Sequence, residues 1–320
     1  MAEPMLALPI VETIIGVIGL TGNAIVVIVI CKVKFMHTKT NAFICNQAVV
    51  DFLGSLFLIV TSALPVPDPL PDNSGYQIVC LFWLSEFFLW ACYTSSTYNL
   101  VFLTCERYVA IVYPFKYVTL YTRKSIVGMV AIVWLLGLIL EGAYSVMTNR
   151  FENGQCFRST SVSAQVLSIV IIVVHFLIPA IFMLFSYSHM AVELKRSANR
   201  VGAVAPTVSA YSAPGNGEGE ERPENAEQSL LRARRNVFRT LLLVFITFLV
   251  CWTPMQIIFF VTSVGLRLYH TTAIYITSLS LVGISSCTNP FIYAFKYKQF
   301  QRGFLFLIGR PIQAEDTPGN

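Results

Sequence analysis

The chain has 320 residues, 55% of them hydrophobic and only 12% charged, with a formal net charge of +5. Soluble globular domains usually carry about 25% charged residues. This much apolar sequence therefore excludes an ordinary water-soluble fold, and basic residues parcelled between apolar runs exclude a nucleic-acid-binding surface as the meaning of the charge.

Taken in chain order, apolar runs occupy Val11–Cys31, Ala42–Leu64, Ile78–Val112, Ile126–Met147, Val162–Met190, Val237–Leu266 and Thr271–Phe295. Each is near or above the roughly 20 residues that cross a bilayer as a helix. Backbone polar groups in hydrocarbon must be satisfied internally, and no alternating barrel pattern appears, so helices are the spanning form. The expected fold is an all-α membrane protein: a seven-transmembrane helix bundle. After the seventh run, "KYKQFQRGFLFLIGR" alternates basic with aromatic or aliphatic residues and predicts a short amphipathic helix on the inner leaflet.

The basic residues orient the bundle. They follow runs one, three and seven and flank the gap between runs five and six, while the other loops hold only Arg150, Arg158 and Arg267. The positive-inside rule then puts the N-terminus outside and the C-terminus in the cytoplasm, in a multi-pass plasma-membrane protein. "MAEPMLALP" has no basic leader, so the first run is expected to serve as its own insertion signal. One domain covers residues 1–310. Within it, residues 197–230, rich in Ala, Ser, Pro, Gly and Glu, read as a disordered third cytoplasmic loop. A short cytoplasmic tail covers 311–320.

Of eight cysteines, six fall inside the runs or at their cytoplasmic ends. Only Cys80 and Cys156 face the oxidising side; a disulfide between them is the natural pairing, with two free thiols the alternative. Polar groups at bilayer depth are costly and mark function. Asn23, Asp51 and Asn289 are such groups, and Asp51 reads as the one acid buried near the midplane. Pro179, Pro254 and Pro290 each remove a backbone donor and loosen a helix where it can pivot. The four histidines lack metal-ligand spacing and no nucleophile elbow is present, so an enzyme has little support. A transporter would show repeats with paired broken helices.

Every run carries a mark that resembles the rhodopsin-like (class A) G protein-coupled receptors. The marks are Asn23, Asp51, Glu106-Arg107-Tyr108, Trp134, Pro179 with Tyr187, Phe248 with Cys251-Trp252-Thr253-Pro254, and Asn289-Pro290-Phe291-Ile292-Tyr293. The resemblance implies an extracellular ligand, a heterotrimeric G protein and a surrounding bilayer as partners. It implies that Glu106 and Arg107 pair at the cytoplasmic end of the third helix while the receptor rests. Outward motion of the sixth helix then frees Arg107, with Tyr187 and Tyr293 stabilising the open form and Phe115 packing into the G protein. Asp51, Ser96, Trp252, Ser285, Ser286 and Asn289 resemble a buried sodium site, so the only cofactor implied is an allosteric sodium ion.

The departures are specific. Cys80 lies 27 residues before Arg107, slightly more than is usual, which predicts a longer or bulged outer end on the third helix. Thr97 replaces an aliphatic residue that often links Pro179 to Phe248. Arg234 stands where some relatives carry an acid that locks the arginine. Gly283 stands where opsins carry the retinal lysine, and the amine-gripping aspartate would fall at Leu89 or Phe87. The candidate pocket is Trp83, Glu86, Phe87, Leu89, Trp90, Tyr144, His175, Gln256, Phe259 and Tyr275, which suits a peptide end. The sequence is most similar to peptide receptors of the galanin, somatostatin and allatostatin kind. Other readings are a constitutively active or orphan receptor, or an amine receptor anchored by Glu86.

Overall fold

The computed structural model describes residues 3–64, 74–159, 161–209, 223–266 and 273–310. Helix α1 spans Glu3–Lys32 and, after a short 3-10 turn at Lys34–Met36, α2 spans Lys39–Ala63. A short α3 (Ser74–Val79) leads through a π-helical turn at Cys80–Leu84 into α4 (Phe87–Val112), and α5 (Pro114–Leu120) and α6 (Arg123–Thr148) follow. A hairpin of β1 (Asn149–Glu152) and β2 (Gln155–Arg158) precedes α7 (Val162–Ile172), a second π turn at Val173–Leu177 and α8 (Ile178–Ser209). The chain ends in α9 (Pro223–Ser263), α10 (Ala273–Lys296) and α11 (Lys298–Leu307). α8 and α9 thus extend as helix into both ends of the segment read as a disordered loop. Its centre, 210–222, and the expected tail, 311–320, lie outside the described residues.

Six of these stretches are long and apolar enough to cross a membrane. The seventh, α10, is diluted by Thr277, Ser278, Ser280, Ser285, Ser286, Thr288 and Asn289. Its hydroxyls are largely spent on its own backbone: Ser278 donates to the Ile274 carbonyl at 2.8 Å, Ser286 to Gly283 at 2.8 Å and Thr288 to Ser285 at 2.9 Å. A helix that satisfies its own polar groups tolerates hydrocarbon without a high apolar content. Large apolar side chains such as Ile14, Val127, Ile139, Ile181, Phe185 and Val250 are exposed, while Asn23, Gln47, Asp51, Asn99 and Glu106 are buried. This is the inverse of a water-soluble protein and fits a lipid-facing exterior.

Helix starts are chemically marked: Thr38 accepts from the Asn41 amide, Thr122 from Ser125 and Ser161 from Ala164. Interruptions have equally local causes. Pro179 cannot bond to the His175 carbonyl four residues back, and the π turn Val173–Leu177 sits directly before it. Pro290 leaves the Ser286 carbonyl without its helical partner, and Asn23 Nδ2 supplies one from α1 at 3.1 Å. Glu86, left-handed at φ 55°, breaks the helix between the first π turn and α4. The extra length between Cys80 and Arg107 is absorbed there.

The hairpin turns on Asn153 (φ 52°) and Gly154 (φ 74°), the pair of positive dihedrals that a two-residue type I′ turn requires. Cys156, opposite Phe151 in the hairpin, is disulfide-bonded to Cys80. One end of the bundle is thereby the disulfide end. The other, at Lys32, Lys116 and Arg123, is the basic end.

α4 is the central post, in contact with α2, α6, α8 and α9, while α10 packs against α1, α2 and α9. Its approach to α6 depends on Gly137, where an added Cβ would lie 2.6 Å from the Ala91 carbonyl and collide with the Ser95 hydroxyl. A helix backbone cannot yield to such a clash without moving apart. Gly137→Val is expected to destabilise the folded bundle by ~1–3 kcal/mol, the usual range for overpacking. Thermal denaturation of the purified variant beside the unaltered chain measures it.

Candidate functional site

At the basic end, Glu106 is fully buried and receives the Arg107 guanidinium through two N–H groups. Tyr117 of α5 donates its hydroxyl to the same carboxylate at 2.5 Å, and Thr40 of α2 donates at 3.2 Å. Arg107 Nη2 also reaches the Tyr117 oxygen at 3.3 Å, and Lys39 Nζ lies 4.6 Å above that ring. Burial first, and then the neighbouring Glu106 carboxylate, push the Tyr117 hydroxyl above its ordinary pKa. It therefore stays protonated and remains a donor at any physiological pH. A carboxylate with a paired cation and two further donors is among the few charged groups that burial tolerates.

The other residues expected at this end divide. Tyr108 turns away from the ion pair and bonds His189 Nδ1 of α8 at 2.9 Å. Tyr187 stacks on Phe245 with ring centroids 5.3 Å apart and meets Thr104 at 3.4 Å. Tyr293 is fully buried against Tyr297 and Phe300. Phe115, at the start of α5, is 94% exposed.

At mid-depth, Asp51 accepts from Ser96 Oγ at 2.8 Å, Asn289 Nδ2 at 2.8 Å and Gln47 Nε2 at 3.1 and 3.2 Å. Asp51, Ser96 and Asn289 are thus brought together as expected. Ser286 spends its hydroxyl on the Gly283 carbonyl, and among the described residues no hydrogen bond joins Ser285 or Trp252 to Asp51. Gln47 carries no family mark and was not legible as a site residue.

Between this layer and the disulfide end runs an aromatic column. Glu86 accepts from Trp90 Nε1 at 3.1 Å. Trp90 meets Tyr93 edge-on at 5.9 Å, Tyr93 meets Trp252 at 6.0 Å, Trp252 meets Phe248 at 5.7 Å and Phe248 meets Phe176 at 5.8 Å. Thr97 does not bridge to Phe248; it donates to the Tyr93 carbonyl at 3.2 Å. Phe176, not recognised from sequence, makes the contact between α8's π turn and Phe248. The column crosses α9 just before Pro254, whose missing N–H loosens that helix.

The expected pocket residues are only partly one site. Tyr144 faces Phe259 at 6.1 Å, lies under Arg158 at 5.5 Å and bonds Ser168 at 3.2 Å. Trp83, Glu86, Trp90, Gln256 and Tyr275 are half-buried. Tyr275 is within electrostatic reach of Glu86 and Arg158. Phe87 instead packs on Phe82 at 5.1 Å and would touch a Cβ at Gly142 of α6, and Leu89 belongs to the core. The π turn and the break at Glu86 rotate these two away from where an unbroken helix would put them. At Gly283 a Cβ would already sit 3.2 Å from Ile15 and 3.3 Å from Leu58, so a lysine has no room.

His175 is drawn into a second buried polar cluster, whose acid, Glu141, corrects the reading of Asp51 as the one acid near the midplane. Glu141 of α6 is 8% exposed and lies 3.1 Å from His175 Nδ1. Thr94 of α4 donates to Glu141 at 2.6 Å and sits 3.3 Å from the same ring nitrogen. Glu141 Oε1, Thr94 Oγ1 and His175 Nδ1 thus form one buried triad that joins three helical segments. A lone acid inside the fourth apolar run was the signal available; its partners, on two other helices, were not.

A sequence profile described as 7 transmembrane receptor (rhodopsin family) matches residues 22–293. The allatostatin-A receptor of Bombyx mori is 27% identical over 311 residues, covering 92% of this chain and 78% of the relative. The cholecystokinin receptor type A of Canis lupus familiaris is 26% identical over 340 residues, with coverage of 92% and 78%. The melatonin receptor type 1A of Mus musculus is 25% identical over 314 residues, with coverage of 91% and 77%.

Glu141→Leu should strand the His175 and Thr94 donors in hydrocarbon and destabilise the bundle by ~1–3 kcal/mol. Adding His175→Phe and Thr94→Val should recover most of that, because an all-apolar replacement of the three leaves none of them unpaired. Melting temperatures of the purified single and triple variants give the comparison.

Proposed function

Because the chain belongs to the rhodopsin family of seven-transmembrane receptors, we propose that it transmits the binding of a ligand at the disulfide end to a heterotrimeric G protein at the basic end. The family is one of receptors, not enzymes, and of multi-pass proteins of the plasma membrane. In this reading the disulfide end and the N-terminus face outward, and the basic end and the C-terminus face the cytoplasm. The excess of Lys and Arg at that end supports it.

The observation that carries the proposal is the closed ionic latch at the foot of α4: Glu106 holding Arg107, with Tyr117 and Thr40 completing the carboxylate's shell. The same helix carries Trp90 and Tyr93 nearer its other end, and these reach α9 through Trp252. A ligand that displaces Trp90 or Glu86 moves this column, and the column crosses α9 beside Pro254, which lacks a backbone N–H to donate. Outward rotation of α9 about Pro254 then leaves Tyr187 free of Phe245 and opens the space into which Arg107 turns. The exposed Phe115 beside the latch supplies an apolar anchor for the G protein. Ligand and G protein thus bias one two-state element from opposite ends, which is what coupling between sites requires.

A peptide is the ligand class the relatives favour, since the allatostatin-A and cholecystokinin receptors are peptide receptors. The half-buried Trp83, Trp90, Phe259 and Tyr275 around Glu86 suit a peptide end with one basic or amide group. A raised basal signal is a second reading with its own observation. Among the described residues Arg107 is held only by Glu106 and Tyr117 and by no acid of α9, where Arg234 stands instead.

In cells expressing the chain, a panel of short neuropeptides is expected to activate a G protein, and Arg107→Ala to abolish the response at unchanged surface expression. An amine response that depends on Glu86 would replace the peptide assignment. Phe115→Ala should weaken coupling while leaving ligand affinity without G protein unaltered. Tyr117→Phe removes a hydrogen bond to a charged group worth ~1.5–3 kcal/mol. Basal G protein activation should therefore rise about tenfold or more, and a basal signal equal to that of the unaltered chain would sink the latch assignment.

A further inference from the structure

The family resemblance expects a sodium ion at Asp51, and the residues around that carboxylate do not fit one. A hard cation needs oxygen lone pairs aimed at it. Here the carboxylate is met by N–H and O–H donors from Gln47, Ser96 and Asn289. The direction of the Gln47 amide is settled by its neighbours. The indole N–H of Trp134 can only donate, and it lies 3.0 Å from Asn46, so Asn46 turns its Oδ1 toward it. Asn46 Nδ2 then faces Asn99 Oδ1 at 2.8 Å. Asn99 Nδ2 faces Gln47 Oε1 at 2.7 Å and also the Phe43 carbonyl at 3.0 Å, which can only accept. Gln47 is left with its –NH2 toward Asp51 and toward the oxygen of Ser96. Reversing any one amide would oppose donor to donor or acceptor to acceptor on both of its sides. The relay runs one way, from a donor-only indole on α6 to an acceptor-only carboxylate on α2. It fills both carboxylate oxygens with donors and takes one of the two Ser96 lone pairs a cation could use.

We propose that Gln47 stands in for the cation: its amide caps Asp51, and this receptor has no functional sodium site. The geometry makes Gln47 a positioning residue that holds Asp51 to α4 in the closed bundle, a task otherwise left to an exchangeable ion. The proposal rests on the family assignment but not on the ligand class or on G protein coupling, so its test avoids both.

The full chain is purified in detergent and its melting temperature is measured in sodium, potassium and choline chloride at matched ionic strength, with the sodium-23 NMR linewidth as a binding readout. The unaltered chain should melt at the same temperature in all three salts and leave the linewidth unbroadened. Gln47→Leu removes the capping donor, and Gln47→Glu replaces it with an acceptor of the same shape. Each should gain a sodium-specific rise in melting temperature and a broadened linewidth, and both gains should vanish when Asp51→Asn is added. A sodium-specific stabilisation of the unaltered chain that Asp51→Asn removes would overturn the proposal. So would a folded Gln47→Glu variant as indifferent to sodium as its parent. Should Gln47→Leu fail to fold, the unaltered chain and the isosteric Gln47→Glu decide the matter between them.

Discussion

A charged or amide side chain at bilayer depth has no water to turn to, and Glu106, Asp51, Gln47, Asn46 and Asn99 each meet a side chain from another helix. Helix α4 is where the matches converge. Glu106 takes Thr40 from α2 and Tyr117 from α5. Ser96 and Asn99 meet α2 through Asp51 and Gln47. Thr94 meets α6 and the π turn before α8 through Glu141 and His175. Three polar layers, stacked along one helix, therefore fix its rotation and depth against its neighbours. Apolar packing alone fixes these less well, because lipid competes with it on equal terms.

The same arrangement explains how a bundle this tightly tied can still move. The layers bind α2, α4, α6 and α10 into a frame, whereas α9 is held to α4 by aromatic contacts and not by ion pairs. Phe245, Phe248 and Trp252 all lie on α9 and all face residues of α4 or the α8 segment. Aromatic edges slide at a modest cost, about 0.5–1.5 kcal/mol per pair beyond burial. Hydrogen bonds to buried carboxylates resist separation more strongly, about 1.5–3 kcal/mol each. The soft side of the bundle is thus the side that carries Pro254, and the stiff side is the one that senses it.

The expected seven spans, their polar marks and the Cys80–Cys156 bond were all legible, since hydropathy, charge asymmetry and compartment are properties of residues in order along the chain. Partner choice was not. Gln47, Tyr117 and Glu141 looked like ordinary members of their segments, yet Gln47 and Tyr117 each complete the shell of a buried carboxylate and Glu141 meets the buried His175. Whether Gln47 meets Asp51 depends on the rotation of α2, and whether Glu141 meets His175 depends on the relative depth of two helices that are distant in sequence. The uncertainty between Phe87 and Leu89 had a sharper cause. Counting along a helix assumes constant pitch, and the π turn Cys80–Leu84 with left-handed Glu86 breaks the count. The Asn153–Gly154 hairpin is a different case: its Asn-Gly signal was present and local, and it went unread between two hydrophobic runs.

By itself, then, the sequence determined that this chain crosses a membrane as helices, which end is basic, where three of those helices loosen, and that Asp51 and the Glu106–Arg107 pair sit at depth. Each of these follows from the free energy of moving one segment from water to hydrocarbon, a sum over neighbouring residues that needs no knowledge of other segments. The tertiary structure decided what those deep residues do: that Glu106 is latched by Tyr117, that Glu141 answers His175, and that an amide rather than an open coordination shell faces Asp51. These outcomes turn on distances of about 3 Å between side chains on different helices. Such distances are set only when the helices choose their rotations together to match most of their buried donors and acceptors.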